Sequence, residues 1–186
     1  MKGIIFTEFL DMVDEQFGFE VTEHIIEEAK HQLSTGGSYS AVGTYPYDEI
    51  IALVHSLSQQ SRLPVTHLIE VFGEYLLNQF AKKYTGFFSS ANDTFTFLKS
   101  IDNHIHVEVK KLYPKAELPK FDCHHPNGNT NQLVMIYSSE RAMSNLAIGL
   151  INGTIKYYNE EITFSKTIMD NSQGKKVKFE LNKQIK

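Results

Sequence analysis

The order of its hydrophobic patterns predicts an α+β fold, with a helical N-terminal part and a C-terminal antiparallel sheet that carries a packed helix. Two observations carry this. Up to Leu112, apolar residues recur at intervals of three and four. After residue 120 the period shortens to two in several stretches, and one further helical pattern lies between them.

Residues 4 to 17 place Ile5, Phe6, Phe9, Leu10, Val13 and Phe17 on one helical stripe. Thr22 reads as the N-cap of a second helix over His24 to His31, and Ser34-Thr-Gly-Gly-Ser38 ends it. The loop that follows, through Gly43 and Pro46, is the segment expected to be mobile. Tyr47 to Ser61 is a third helix. Pro64 opens a fourth, with Thr66 as cap, which continues to about Tyr84 and holds Gly73 in its interior. A helical glycine costs about 1 kcal/mol relative to alanine, so Gly73 suggests close packing. Gly86 to Asn92 reads as a loop. Leu98, Ile101, Ile105, Val109 and Leu112 then make one apolar face, and Pro114 stops that helix near Tyr113. Cys123 to Thr130 is rich in turn formers. Gln132 to Ser139 is a strand, Arg141 to about Tyr158 a helix, and Ile162 to Met169 and Val177 to Leu181 are strands joined at Asp170 to Gly174. The reading is one domain over residues 1–182 with a frayed tail at 183–186.

With 186 residues the chain can bury a substantial core. A net charge of −4 argues against nucleic-acid binding. No run reaches the roughly 20 apolar residues of a membrane span, and no signal peptide is evident, which points to the cytoplasm. Cys123 is the single cysteine, so neither an internal disulfide nor a cysteine-rich zinc site is available.

Two stretches carry chemistry. With Ile105 at the centre of the buried stripe, His106 and His104 lie on opposite flanks, and the His106 flank also carries Phe95, Asp102 and Tyr113. A neutral imidazole on such an edge suits an axial metal or heme ligand, though spacing alone favours an ordinary boundary histidine. In Tyr137-Ser138-Ser139-Glu140-Arg141, strand parity turns two hydroxyls and a guanidinium to one side if the strand extends to residue 141. Such a trio is complementary to carboxylates.

His106, Tyr113-Pro114 seven residues on, Pro119 with Phe121 two beyond, and the later Tyr137-x-Ser139-x-Arg141 together resemble the heme nitric oxide/oxygen-binding (H-NOX) family over essentially the whole chain. The opening Met-Lys-Gly-Ile-Ile resembles bacterial members. The resemblance implies a b-type heme sandwiched between the helical part and the sheet. His106 would be its proximal ligand, Tyr137, Ser139 and Arg141 its propionate clamp, and Pro119 a residue pressing on its face. Ile5, Phe9 and Leu150 match pocket-wall positions. Oxygen-binding members have a distal tyrosine in the helix after the clamp; counting on from Arg141 gives Leu146, which offers no hydroxyl. The family likeness therefore implies a non-enzymatic sensor of NO (also able to bind CO) that discriminates against O2 and loses its iron–His106 bond on binding NO. Tyr75 is the residue that would overturn this if it entered the distal pocket. In the family, the output of such stand-alone members passes to a separate histidine kinase or a cyclic-di-GMP enzyme. Three other readings stand beside it: an O2 sensor, a non-heme metalloprotein using His104, His106 and His124, and a protein-interaction domain whose His106 is structural.

Overall fold

A computed structural model describes residues 1–169 and 173–184. Four long helices build the N-terminal part: α1 (Gly3–Phe17), α2 (Phe19–Ala29), α3 (Tyr47–Ser61) and α4 (Val65–Lys83). The apolar stripes of α1, α3 and α4 meet in a core of Phe6, Phe9, Met12, Leu53, Leu57 and Phe72. The Phe9 and Phe72 rings meet edge to face at 5.3 Å. A short helix α5 (Thr85–Ser89) leads to α6 (Thr94–Ser100), a wide turn over Ile101–Ile105, and α7 (His106–Leu112).

The second part is a four-stranded antiparallel sheet in the order β1-β2-β4-β3, comprising β1 (Lys120–His124), β2 (Gln132–Ser138), β3 (Ile162–Ile168) and β4 (Lys176–Lys183). Helix α8 (Ser144–Tyr157) lies between β2 and β3 in the chain. Alternation turns Leu133, Met135 and Tyr137 of β2, and Val177, Phe179 and Leu181 of β4, into a second core shared with Ala147 and Ile151 of α8. Phe80 and Leu150 touch both cores. The two parts join where α4 crosses α8 glycine to glycine: a Cβ on Gly73 would lie 2.6 Å from the Leu146 carbonyl oxygen, and one on Gly149 would lie 2.0 Å from that of Glu70. Gly73 is there for close packing, as expected.

Several expectations need correction. Helix α2 starts three residues before Thr22, because Gly18 at φ 92° lets the chain turn straight out of α1. Thr22 is consequently a buried helical residue and not a cap. Thr66 likewise lies inside α4, which follows directly on Pro64. The 34–46 loop is fastened: the buried Glu49 carboxylate accepts from the Ser34 backbone N–H (3.1 Å) and the Tyr39 hydroxyl (2.8 Å). The Tyr39 ring in turn stacks on Phe6. Cys123 and His124 belong to β1, a strand held by pairing with β2.

The strand β4 runs to Lys183, whose ammonium meets Asp93 and Glu160, so the tail does not fray from residue 183. Part of the expected 170–174 turn, and residues 185–186, lie outside the described residues.

The stripe from Leu98 to Leu112 breaks phase. At the wide turn the His106 backbone N–H donates to the Ile101 carbonyl, five residues back, where a regular helix would use residue 102. One extra residue in that turn rotates everything after it by about 100°. Leu98 is accordingly buried while Leu112 is 73% exposed.

Candidate functional site

Asp93 starts the segment that carries His106, its carboxylate capping α6 by accepting from the Thr96 N–H at 2.7 Å. The wide turn then delivers Asp102 and His106 to one side, four residues apart, with His106 Nδ1 3.1 Å from Asp102 Oδ1. Burial lowers the His106 pKa, and Asp102 opposes the shift without reversing it, so the imidazole is held below its ordinary value. A neutral ring that donates Nδ1–H to a carboxylate keeps its lone pair on Nε2, the arrangement that makes a histidine a good metal ligand. The sequence had placed Asp102 on the His106 flank; its i, i+4 spacing was the signal for this pairing.

The His106 ring faces Phe121 of β1 at 5.9 Å between centroids, and Phe121 in turn faces Tyr137 at 5.7 Å. Register explains the second contact, since Phe121 and Tyr137 are directly paired across β1 and β2. Pro119, half-buried, sets the entry to β1 just before this aromatic pair.

Tyr137, Ser139 and Arg141 do converge, but by a different route from the expected one. The strand ends at Ser138, and a turn with Ala142 at φ 50° follows. Within that turn the Arg141 N–H donates to Ser139 Oγ at 3.2 Å, and the Met143 N–H donates to the Tyr137 hydroxyl oxygen at 3.0 Å. Burial raises the Tyr137 pKa, against the opposing influence of Ser139, Met143 and Arg141. Tyr137 is thus a neutral hydroxyl beside a fixed cation. The guanidinium reaches back to Glu117, a residue that no sequence pattern had singled out.

Of the expected wall positions, Phe9 is fully buried, and Ile5, Leu146 and Leu150 are half-buried hydrophobics packed on the same N-terminal core. Tyr75 donates its hydroxyl to Glu15, in the last turn of α1, at 2.9 Å. His104 is exposed against the edge of Phe87, and His124 is exposed on β1. Among the described residues no group of three His, Cys, Asp or Glu side chains is arranged to hold a metal ion. A metal ligated by His106 would therefore have to bring its own equatorial ligands. One neutral imidazole, with a guanidinium and two hydroxyls suited to carboxylates, fits an iron porphyrin with two propionates.

A helical part joined to an antiparallel sheet, with this donor set between them, is the kind of mixed α and β domain that a heme would suit. Comparison with known proteins agrees. The family model described as Haem-NO-binding matches residues 2–166, and the chain belongs to that family, whose domains are heme-binding gas sensors and not enzymes. Among solved structures, the Fe(II) unliganded H-NOX protein from K. algicida superposes with a TM-score of 0.91 at 38% identity, covering 100% of this chain and 98% of that one. An H-NOX protein from S. oneidensis in the Fe(II)NO state gives 0.88 at 27% identity, with 100% of both chains covered. The IWP-051-bound H-NOX from Shewanella woodyi in the Fe(II)CO state gives 0.83 at 34%, covering 99% and 95%. The soluble guanylate cyclase gcy-35 of Caenorhabditis elegans is 28% identical over 148 residues, which is 76% of this chain; the chain spans 20% of that relative's length. No helix among the described residues is long and apolar enough to cross a membrane.

Proposed function

We propose that this domain senses NO through a b-type heme held by His106, discriminates against O2, and passes the signal to an effector. The observation that carries the proposal is the half-buried His106 imidazole, held below its ordinary pKa, with its Nδ1 fixed by Asp102. Tyr137, Ser139 and Arg141 would hold the propionates, Pro119 would press on the porphyrin, and Ile5, Phe9, Leu146 and Leu150 would line the pocket.

When bound, ferrous heme supplies the iron at which NO or CO binds. The protein's part is to choose between gases and to respond. An O2 ligand gains negative charge and is favoured by a nearby donor, whereas NO needs one far less. Leu146 offers none, and the Tyr75 hydroxyl is engaged by Glu15. His106 begins α7 and faces Phe121 of β1, so the residue that would hold the iron is also the one through which a change at the heme would reach that helix. Val107 and Leu112 of α7 are exposed apolar side chains at which an effector could read that change. Relatives in their NO and CO states support the choice of ligands. A histidine kinase or a cyclic-di-GMP enzyme is the effector class proposed from family likeness.

The test is the absorption spectrum of the reduced protein, recorded anaerobically, then in air, then with NO. The expected result is a heme band that forms no O2 complex in air and moves with NO to a five-coordinate form. A stable oxygenated spectrum would refute the gas assignment, and failure to take up hemin at all would refute the heme reading.

A further inference from the structure

Arg141, the cation of the clamp, already holds a carboxylate, and it belongs to the chain itself. Its Nη2 donates to Glu117 Oε2 at 2.6 Å and its Nη1 to the Glu117 carbonyl oxygen at 3.1 Å. A guanidinium has five N–H donors in one rigid plane, and a carboxylate takes the paired positions best. Glu117 is on two of them. The partners differ in freedom: the Arg141 side chain is 21% exposed, that of Glu117 82%. The carboxylate can therefore swing into water while the guanidinium stays. The Met1 amine lies close enough to feel both charges, lowered by Arg141 and raised by Glu117, although burial is the larger influence on it. Glu117 is the carboxylate that Arg141 holds at this edge of the molecule.

We infer that Glu117 is an internal competitor for the propionate position. Its carboxylate yields Arg141 when a heme propionate arrives and reclaims it when the heme leaves, and in this way it sets how firmly heme is retained. The inference rests on the heme-binding reading above. Glu117 lies midway along the connection from α7 to β1, so the exchange also couples the segment beyond His106 to occupancy of the clamp.

The test is transfer of ferric heme from the loaded protein to excess apomyoglobin, followed as a rate in wild type, Glu117→Gln, Arg141→Ala and the double variant. An exposed ion pair of this kind predicts about two- to five-fold slower heme loss in Glu117→Gln. The gain should shrink as salt is raised, and it should vanish when Arg141 is already alanine. Equal or faster loss from Glu117→Gln would overturn the inference, because a glutamate that merely orders Arg141 would help retention. So would slowing that persists without Arg141. Thermal unfolding of the heme-free variants separates these rates from any change in folding. If wild type takes up no heme, the heme-binding reading itself fails; if it does and Glu117→Gln changes nothing, only this inference fails.

Discussion

Substituting Gly149 by alanine sets two quantities of similar size against each other, and the geometry decides between them. Alanine in a helix interior gains about 1 kcal/mol over glycine from propensity alone. At this position its Cβ would lie 2.0 Å from the Glu70 carbonyl oxygen and 2.7 Å from Gly73 Cα. Ordinary contact begins at 3.4 Å, so the backbones of α4 and α8 must part by roughly 1.4 Å. Backbone cannot rotate out of the way as a side-chain tip can, and overpacking of this kind costs about 1–3 kcal/mol. A contact as short as 2.0 Å on fixed backbone puts the cost in the upper part of that range, about 2–3 kcal/mol, so a net loss of about 1–2 kcal/mol is expected, which for a chain of this size lowers Tm by about 2–8 °C. Gly153→Ala is the internal control. There the new Cβ meets Leu77 Cβ and Cδ2 at 2.9 Å, a shortfall of about half an ångström against a side chain in place of the larger one against backbone, and the loss should be smaller than at Gly149. Urea denaturation of both variants gives the numbers. A Gly149→Ala protein as stable as wild type would refute the reasoning, since it would mean that the two helices slide apart freely. Because α8 carries Leu146 and Leu150, the same variant should also alter CO affinity in the loaded protein.

Asp102→Ala should weaken the hold of His106 on iron, with heme lost about tenfold faster and a lower iron–histidine stretching frequency by resonance Raman; an unchanged frequency would show that the Nδ1 contact is incidental. Leu146→Tyr should introduce a donor and produce an O2 complex visible in air, whereas no complex would place Leu146 away from the bound gas. Burial pushes the Glu49 carboxyl up, but hydrogen bonds from Ser34 and Tyr39 outweigh it and hold its pKa below the ordinary carboxylate range. A folded value below the unfolded one means that the unfolded chain takes up the proton first, so this contribution is intact above about pH 4.5 and disappears as pH falls through the folded value. Glu49→Gln should therefore cost about 1–3 kcal/mol at pH 7 while flattening the acid side of the stability curve, both measured by urea denaturation from pH 7 to 3.5.

The long helices were legible because their stripes are local: Tyr47–Ser61 is bounded in the structure as periodicity bounds it. Strand β1 was not, because Lys120–His124 is a strand by virtue of β2 beside it, and pairing across a sheet leaves no mark on the five residues themselves. At the site, His106 and the Tyr137–Arg141 segment stood out through residue type and spacing. Asp102 was visible as a neighbour on the same flank without a stated role. Glu117 was invisible, since its contact with Arg141 spans 24 residues through a loop and a turn that no short pattern encodes. Tyr137, Ser139 and Arg141 are brought together by a different geometry from the one that strand parity suggests. Strand parity was extended past Ser138, where the backbone had already turned.

The wide turn before His106 also limits which insertions and deletions a descendant of this chain could carry. Between Leu98 and His106, losing one residue would close the turn to a regular helix and swing the imidazole about 100° away from Phe121. Gaining one would swing it the other way. Here the number of residues is as much a part of the site as their identity, and a variant that keeps every side chain but miscounts them would lose the site.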